Sequence, residues 1–149
     1  MVLCLSKLKK SKLWVILLAA AVVAALLLLP GKSEAEDAEK IETNEQRIAF
    51  LSDFGWEVKE DPAETQEIRI PESEDAVFQR YNELQKSQGY DLSQYAGECV
   101  HRYVYEITNY PGDDATHYAT MLIHRGEVIG GDVASSEKDG AMHGFAMPH

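Results

Sequence analysis

Residues 98–109 read Glu-Cys-Val-His-Arg-Tyr-Val-Tyr-Glu-Ile-Thr-Asn, and residues 117–134 read His-Tyr-Ala-Thr-Met-Leu-Ile-His-Arg-Gly-Glu-Val-Ile-Gly-Gly-Asp-Val-Ala. Both runs are rich in β-branched and aromatic residues, and the turn signal Tyr110-Pro111-Gly112-Asp113-Asp114 separates them. Along the first run the odd positions Cys99, His101, Tyr103, Tyr105 and Ile107 make the better core face, with Val100, Arg102, Val104, Glu106 and Thr108 opposite. The second run folds about Arg125-Gly126 into a hairpin of residues 117–124 and 127–134. A two-residue loop sets its register: His124 faces Glu127, Ile123 faces Val128, Leu122 faces Ile129, and Tyr118 faces Val133. Gly130 and Gly131 then oppose Met121 and Thr120, and two glycines inside a strand demand compensation, by a bulge or by close approach of another segment.

Upstream, Thr43 and Gln46 have the spacing of a capping box, and Ile48, Leu51 and Phe54, with Phe50 beside them, give one apolar face, so the pattern predicts a helix over 44–54 stopped by Gly55. Trp56-Glu57-Val58 and Glu67-Ile68-Arg69-Ile70-Pro71 alternate as short strands. Ser73 caps a second helix whose apolar face is Val77, Phe78, Tyr81 and Leu84, and Gly89 ends it. Residues 90–95 read as a loop or single turn. Residues 135–149 form an irregular tail that folds back over the sheet, pegged by Met142, Phe145 and Met147. The expected class is α+β: an antiparallel sheet of three to five strands with two helices packed on one face, all within residues 43–149.

What precedes this domain has a different character. Residues 1–12 carry four lysines and no acid, and residues 13–29 are 17 consecutive apolar residues, from Leu13 to Leu29, closed by Pro30-Gly31. As a helix the run reaches roughly 25 Å, near the lower limit for crossing a bilayer. It is longer than the apolar core of most cleaved signal peptides, so an uncleaved transmembrane signal anchor is the favoured reading over cleavage. The lysine asymmetry sets residues 1–12 in the cytoplasm and the domain outside, in the extracytoplasmic or extracellular space, with an acidic tether at 30–42 between. Cys4 and Cys99 then lie on opposite sides of the membrane, which excludes an intramolecular disulfide. From residue 31 onward 25 acids stand against 10 Lys and Arg, a net charge of −15, which argues against nucleic-acid binding.

Four blocks carry a family resemblance. They are Arg47–Leu51 with Phe54–Val58, then Tyr81–Gln85 with Gln88–Leu92, then Arg102-Tyr103 with Thr108–Pro111, and finally Val128–Val133 with Gly140–Phe145. Together they resemble the bacterial family called domain of unknown function 4830, over roughly residues 45–146. That resemblance implies an extracytoplasmic location in a Gram-positive bacterium behind a single N-terminal membrane segment. It implies no activity and supplies no catalytic residues.

The residues themselves offer four candidates. If the tail folds back, Asp132 and His143 approach each other as an acid–base pair for a small envelope hydrolase or metal-dependent enzyme, although the same Asp can simply pin the tail. His101, His117 and His143 are the candidate metal ligands, without the close spacing that zinc sites show. His124 is accounted for by Glu127 across the hairpin. Cys99 reads as a buried, inert thiol on the core face of its strand. Last, Tyr103, Tyr105, Tyr118, Gly130, Gly131, Asp132 and Met142 are a candidate binding surface for an envelope protein, peptide or ligand. No nucleophile motif and no cofactor-binding motif is present. The expected function is therefore a non-enzymatic, membrane-anchored binding module with no cofactor.

Overall fold

The capping box forms as its spacing predicts. Thr43 Oγ1 accepts from the Gln46 backbone N–H at 3.3 Å, and Gln46 Oε1 accepts from the Thr43 N–H at 2.9 Å. Helix α1 (Asn44–Asp53) follows, and Gly55 at φ 90° ends it in the left-handed conformation that glycine tolerates best. This is a computed structural model that describes residues 40–73, 75–112 and 114–149. The basic segment 1–12, the apolar run 13–29 and most of the tether 30–42 lie outside the described residues. Among the described residues no helix is long and apolar enough to cross a membrane. The described residues form one compact unit. The last tether residues are docked to it: the Ile41 N–H donates to the Gly126 carbonyl at 2.7 Å.

The remaining elements are β1 (Glu64–Arg69), α2 (Ala76–Ser87), a 3-10 turn (Leu92–Tyr95), β2 (Cys99–Ile107), β3 (His117–His124), β4 (Glu127–Ser135) and β5 (Met142–His143). The five strands form one antiparallel sheet in chain order, β1-β2-β3-β4-β5. The expected strand at Trp56–Val58 is only an isolated bridge from Val58 to Ile107. Arg125 (φ 52°) and Gly126 (φ 85°) both sit at positive φ, so the β3–β4 turn has the primed geometry whose twist suits a two-residue hairpin.

The hairpin register holds for His124–Glu127 and Ile123–Val128 and then slips. Leu122 pairs with Gly130, Met121 with Gly131, Thr120 with Asp132, and Tyr118 with Ala134 instead of Val133. Ile129 is the extra residue of a β-bulge. Both forms of compensation occur together, because a Cβ on Gly130 would lie 2.9 Å from Gln85 Oε1 and one on Gly131 would overlap the Phe145 ring and the Thr120 carbonyl.

The two helices do not share a face. Leu51 of α1 packs with Trp56, Tyr105, Met121, Val133 and Phe145 on one side of the sheet. Phe78 of α2 packs with Ile70, Leu92, Val100, Leu122 and Ile129 on the other. The expectation of both helices on one face fails because alternate residues of β2, β3 and β4 are apolar on both sides, and each side needs a cover. Helix α2 also starts later and sits rotated from its expected face. Asp75, not Ser73, caps it, accepting from the Val77 and Phe78 N–H groups at 3.0 and 2.8 Å. Its buried residues are Phe78, Asn82 and Gln85, while Val77 is 77 % exposed.

Candidate functional site

Helix α2 is too short to cover its side of the sheet. Beside it the even-numbered floor of β2 and β3, with Asp132 and Ala134 of the shifted β4, stays accessible as a cleft of about 810 Å³. Four strand spacings of about 4.8 Å make it a trough on the order of 19 Å across, from β1 to β5. Its apolar walls include Ile68, Ile70, Phe78, Val104 and Leu122, with Val77 and the 54 % exposed Met142 at the rim. The polar floor is Tyr81, Arg102, Tyr118, Thr120 and Asp132.

The bulge places Asp132 there. Without the extra residue Ile129, position 132 would lie on the closed side of the sheet, since strand residues alternate faces. Asp132 is 5 % exposed, and Tyr81 donates its hydroxyl to Asp132 Oδ1 at 2.7 Å. The second oxygen, Oδ2, makes no hydrogen bond among the described residues and is not itself fully buried, so it opens to the cleft; the one buried side-chain atom left unpaired among them is Gln85 Nε2. Burial pushes the Asp132 carboxyl above its ordinary range, against the Tyr81 hydrogen bond and the charges of Arg102 and His143. Burial, followed by the Asp132 charge, likewise pushes the Tyr81 phenol upward, so Tyr81 is a hydrogen-bond donor at any physiological pH. Arg102 is neutralised across the strands by Glu64, Nη1 to Oε2 at 2.9 Å.

The roof is fastened by two glutamines that an apolar pattern does not reveal. Gln85 Oε1 accepts the Gly131 N–H at 2.8 Å. Gln88 Nε2 donates to the Gly131 carbonyl at 2.9 Å, and Gln88 Oε1 accepts the Phe145 N–H at 2.7 Å. Helix α2 is thereby tied to the bulge and to the tail. A polar residue at i, i+3 spacing from a capped helix start, opposite a Gly-Gly pair, is the one sequence signal that points to this latch.

The other expected site residues are dispersed. His143 pairs in register with Val133 and so lies on the face opposite Asp132. Its Nδ1 lies 2.7 Å from the Gly144 carbonyl, to which it donates, and its Nε2 is hydrogen-bonded to the Tyr110 hydroxyl at 3.1 Å. Asp132 and His143 are not brought together as an acid–base pair. His117 is buried against the Tyr110 ring, with centroids 3.4 Å apart, and His101 is exposed beside Tyr103. Among the described residues no three His, Cys, Asp or Glu side chains are placed to hold a metal ion. His124 lies 3.6 Å from Glu98 and edge-on to Tyr95, in addition to facing Glu127 in register.

Of the expected binding surface, Tyr118, Asp132 and Met142 line the cleft. Tyr105 is instead a core residue of the closed face, hydrogen-bonded to Arg47 at 2.8 Å and to Asn44 at 2.8 Å, and Tyr103 lies under the Arg47 guanidinium at 3.9 Å. Gly130 and Gly131 are covered by Gln85 and Phe145. Cys99 is exposed, contrary to its expected burial, because the apolar cluster on the odd face begins only farther along β2, at Tyr103.

The sequence profile of the family described as Domain of unknown function (DUF4830) matches residues 50–133, a span that contains α1 from Phe50, α2 and strands β1 to β4 as far as Val133. No curated protein and no solved structure matches the chain.

Proposed function

For a chain that belongs to the domain of unknown function 4830 family, whose description assigns no activity, we propose a non-enzymatic binding module, held outside the cytoplasm by its N-terminal apolar segment. The cleft carries this reading. It joins apolar walls to a few convergent polar groups, and its volume of about 810 Å³ suits a ligand pocket. The address draws its support from the lysines at 7, 9, 10 and 12 ahead of the apolar run. An enzyme using Asp132 with His143 gains no support from two side chains on opposite faces of the sheet.

Two measurements test the two halves. In an NMR screen of apolar fragments, binders are expected to shift the methyl signals of Ile68, Ile70 and Leu122. Ala134→Trp, which fills the cleft from β4, is expected to abolish those shifts. Fragments that bind Ala134→Trp as well as the native chain would overturn the binding reading. The exposed Cys99 reports on address: a membrane-impermeant maleimide is expected to label it in intact cells. Labelling only after lysis would place the domain in the cytoplasm.

A further inference from the structure

Five charged side chains line the cleft: Glu64, Arg69, Asp75, Arg102 and Asp132. Four of them are matched within the fold. Asp75 caps α2, Arg69 donates to the Gly97 carbonyl at 3.2 Å, and Arg102 and Glu64 pair with each other. Asp132 differs from all of these. It is the most deeply placed, it makes a single hydrogen bond, from the Tyr81 hydroxyl, and its Oδ2 stands unbonded beside apolar walls. Arg102 and His143 act on it through space, without a hydrogen bond. A carboxylate drawn out of water without an ionic partner costs several kcal/mol in general, and a ligand that supplies the partner recovers much of it.

Resting on the binding reading above, we propose that the cleft takes a small organic cation, an ammonium group set against Asp132 Oδ2 with an apolar body along Ile68, Ile70, Phe78 and Leu122. At the floor an anionic amphiphile would have to displace Glu64 from Arg102, and the other lining cation, Arg69, is exposed at the β1 edge, whereas a cation finds Asp132 Oδ2 unengaged in the interior of the cleft. The field of a domain with 25 acids against 10 basic residues draws cations toward it and repels anions. The span from β1 to β5 leaves room for an apolar body much longer than the charged group that anchors it.

Calorimetric titration of the full-length chain at low salt with hexylammonium, hexanol and hexanoate tests this. Hexylammonium is expected to bind at one per chain, about tenfold tighter than hexanol, as a charge-assisted hydrogen bond implies, and hexanoate weakest of the three. Asp132→Asn, which keeps a carbonyl acceptor for Tyr81, is expected to reduce hexylammonium to the level of hexanol while hexanol binding is unchanged. Hexanoate binding as tightly as hexylammonium, or a preference that survives Asp132→Asn, would overturn the cation inference. If hexanol still binds and Ala134→Trp still blocks it, the cleft reading stands while the cation inference falls. Failure of all three probes to bind would count against both.

Discussion

The two faces of the sheet are built from the same strands and finished differently. On the α1 side the cover is continuous. Trp56, Leu51, Tyr105, Met121 and Phe145 are all buried, and the polar handles among them are used: Trp56 Nε1 donates to the Phe145 carbonyl at 2.6 Å, and Arg47 donates to the Tyr105 hydroxyl. On the α2 side a single 12-residue helix leaves part of the sheet open as a trough whose floor ends in a carboxylate with one oxygen outside any hydrogen bond. The polar groups of the α1 face are used within the fold, whereas on the α2 side Asp132 Oδ2 makes no hydrogen bond and Gln85 Nε2 is buried without one, and it is this second face on which the proposed binding rests.

Three substitutions can break or sharpen that contrast. The largest effect is expected from Trp56→Ala on the closed face. Removing a 1 % exposed indole and its hydrogen bond should cost about 3–5 kcal/mol, measured by urea unfolding. A loss below about 1 kcal/mol, the usual result of a surface change, would mean that the closed face is not the main core.

Next is Gln85→Ala. It strands the Gly131 N–H and should cost about 1–3 kcal/mol, with faster hydrogen exchange at Gly131. Unchanged exchange there would show that the glutamine does not hold the bulge.

The smallest effect, and of opposite sign, belongs to Asp132→Asn. The folded-state pKa of Asp132 is raised above 3.8 by burial, so its contribution to stability is fully present below that value and is lost as pH rises through the raised one. At neutral pH the native carboxylate therefore carries a cost that the amide does not. The variant is expected to melt higher than the native chain at pH 7, and the gain is expected to shrink toward pH 4. A lower melting temperature at neutral pH would mean that Asp132 is there for structure, and that the open face is no more strained than the closed one.

Much of this was legible along the chain, and the misses have physical causes. Local signals held well: Thr43 with Gln46, Gly55, Gly89, and the Arg125-Gly126 turn each act within a few residues, where backbone sterics and caps decide the outcome. Gly130-Gly131 flagged the place where pairing changes, but not its direction, because the bulge depends on Gln85 arriving from 46 residues earlier. The buried face of α2 is hidden in the sequence because Asn82 and Gln85 are polar, and only their partners in the Leu92 and Gly131 N–H groups make burial tolerable. The partition of the helices between faces escaped for a related reason. The strands look one-sided along the sequence because β2 carries Arg102 and Glu106 on the face that also buries Val100 and Val104. The open face contains Asp132 only through the one-residue slip, so no motif could announce it, and Tyr118 and Met142 were identified for their residue type alone.

The bond between Trp56 and the carbonyl of Phe145 also orders events in time. It joins positions 89 residues apart, and at synthesis speeds of about 5–20 residues per second the indole waits roughly 4–18 s for its acceptor to be made. The apolar cluster beneath α2 is synthesised earlier, since it ends at Ile129, while Met142 at the rim and the Gln88–Phe145 bond come with the tail. A nascent chain thus holds every residue of the apolar cluster beneath α2 before the Trp56 indole meets its acceptor. That interval is when a chaperone or a translocation channel would find an unfinished, greasy surface to hold.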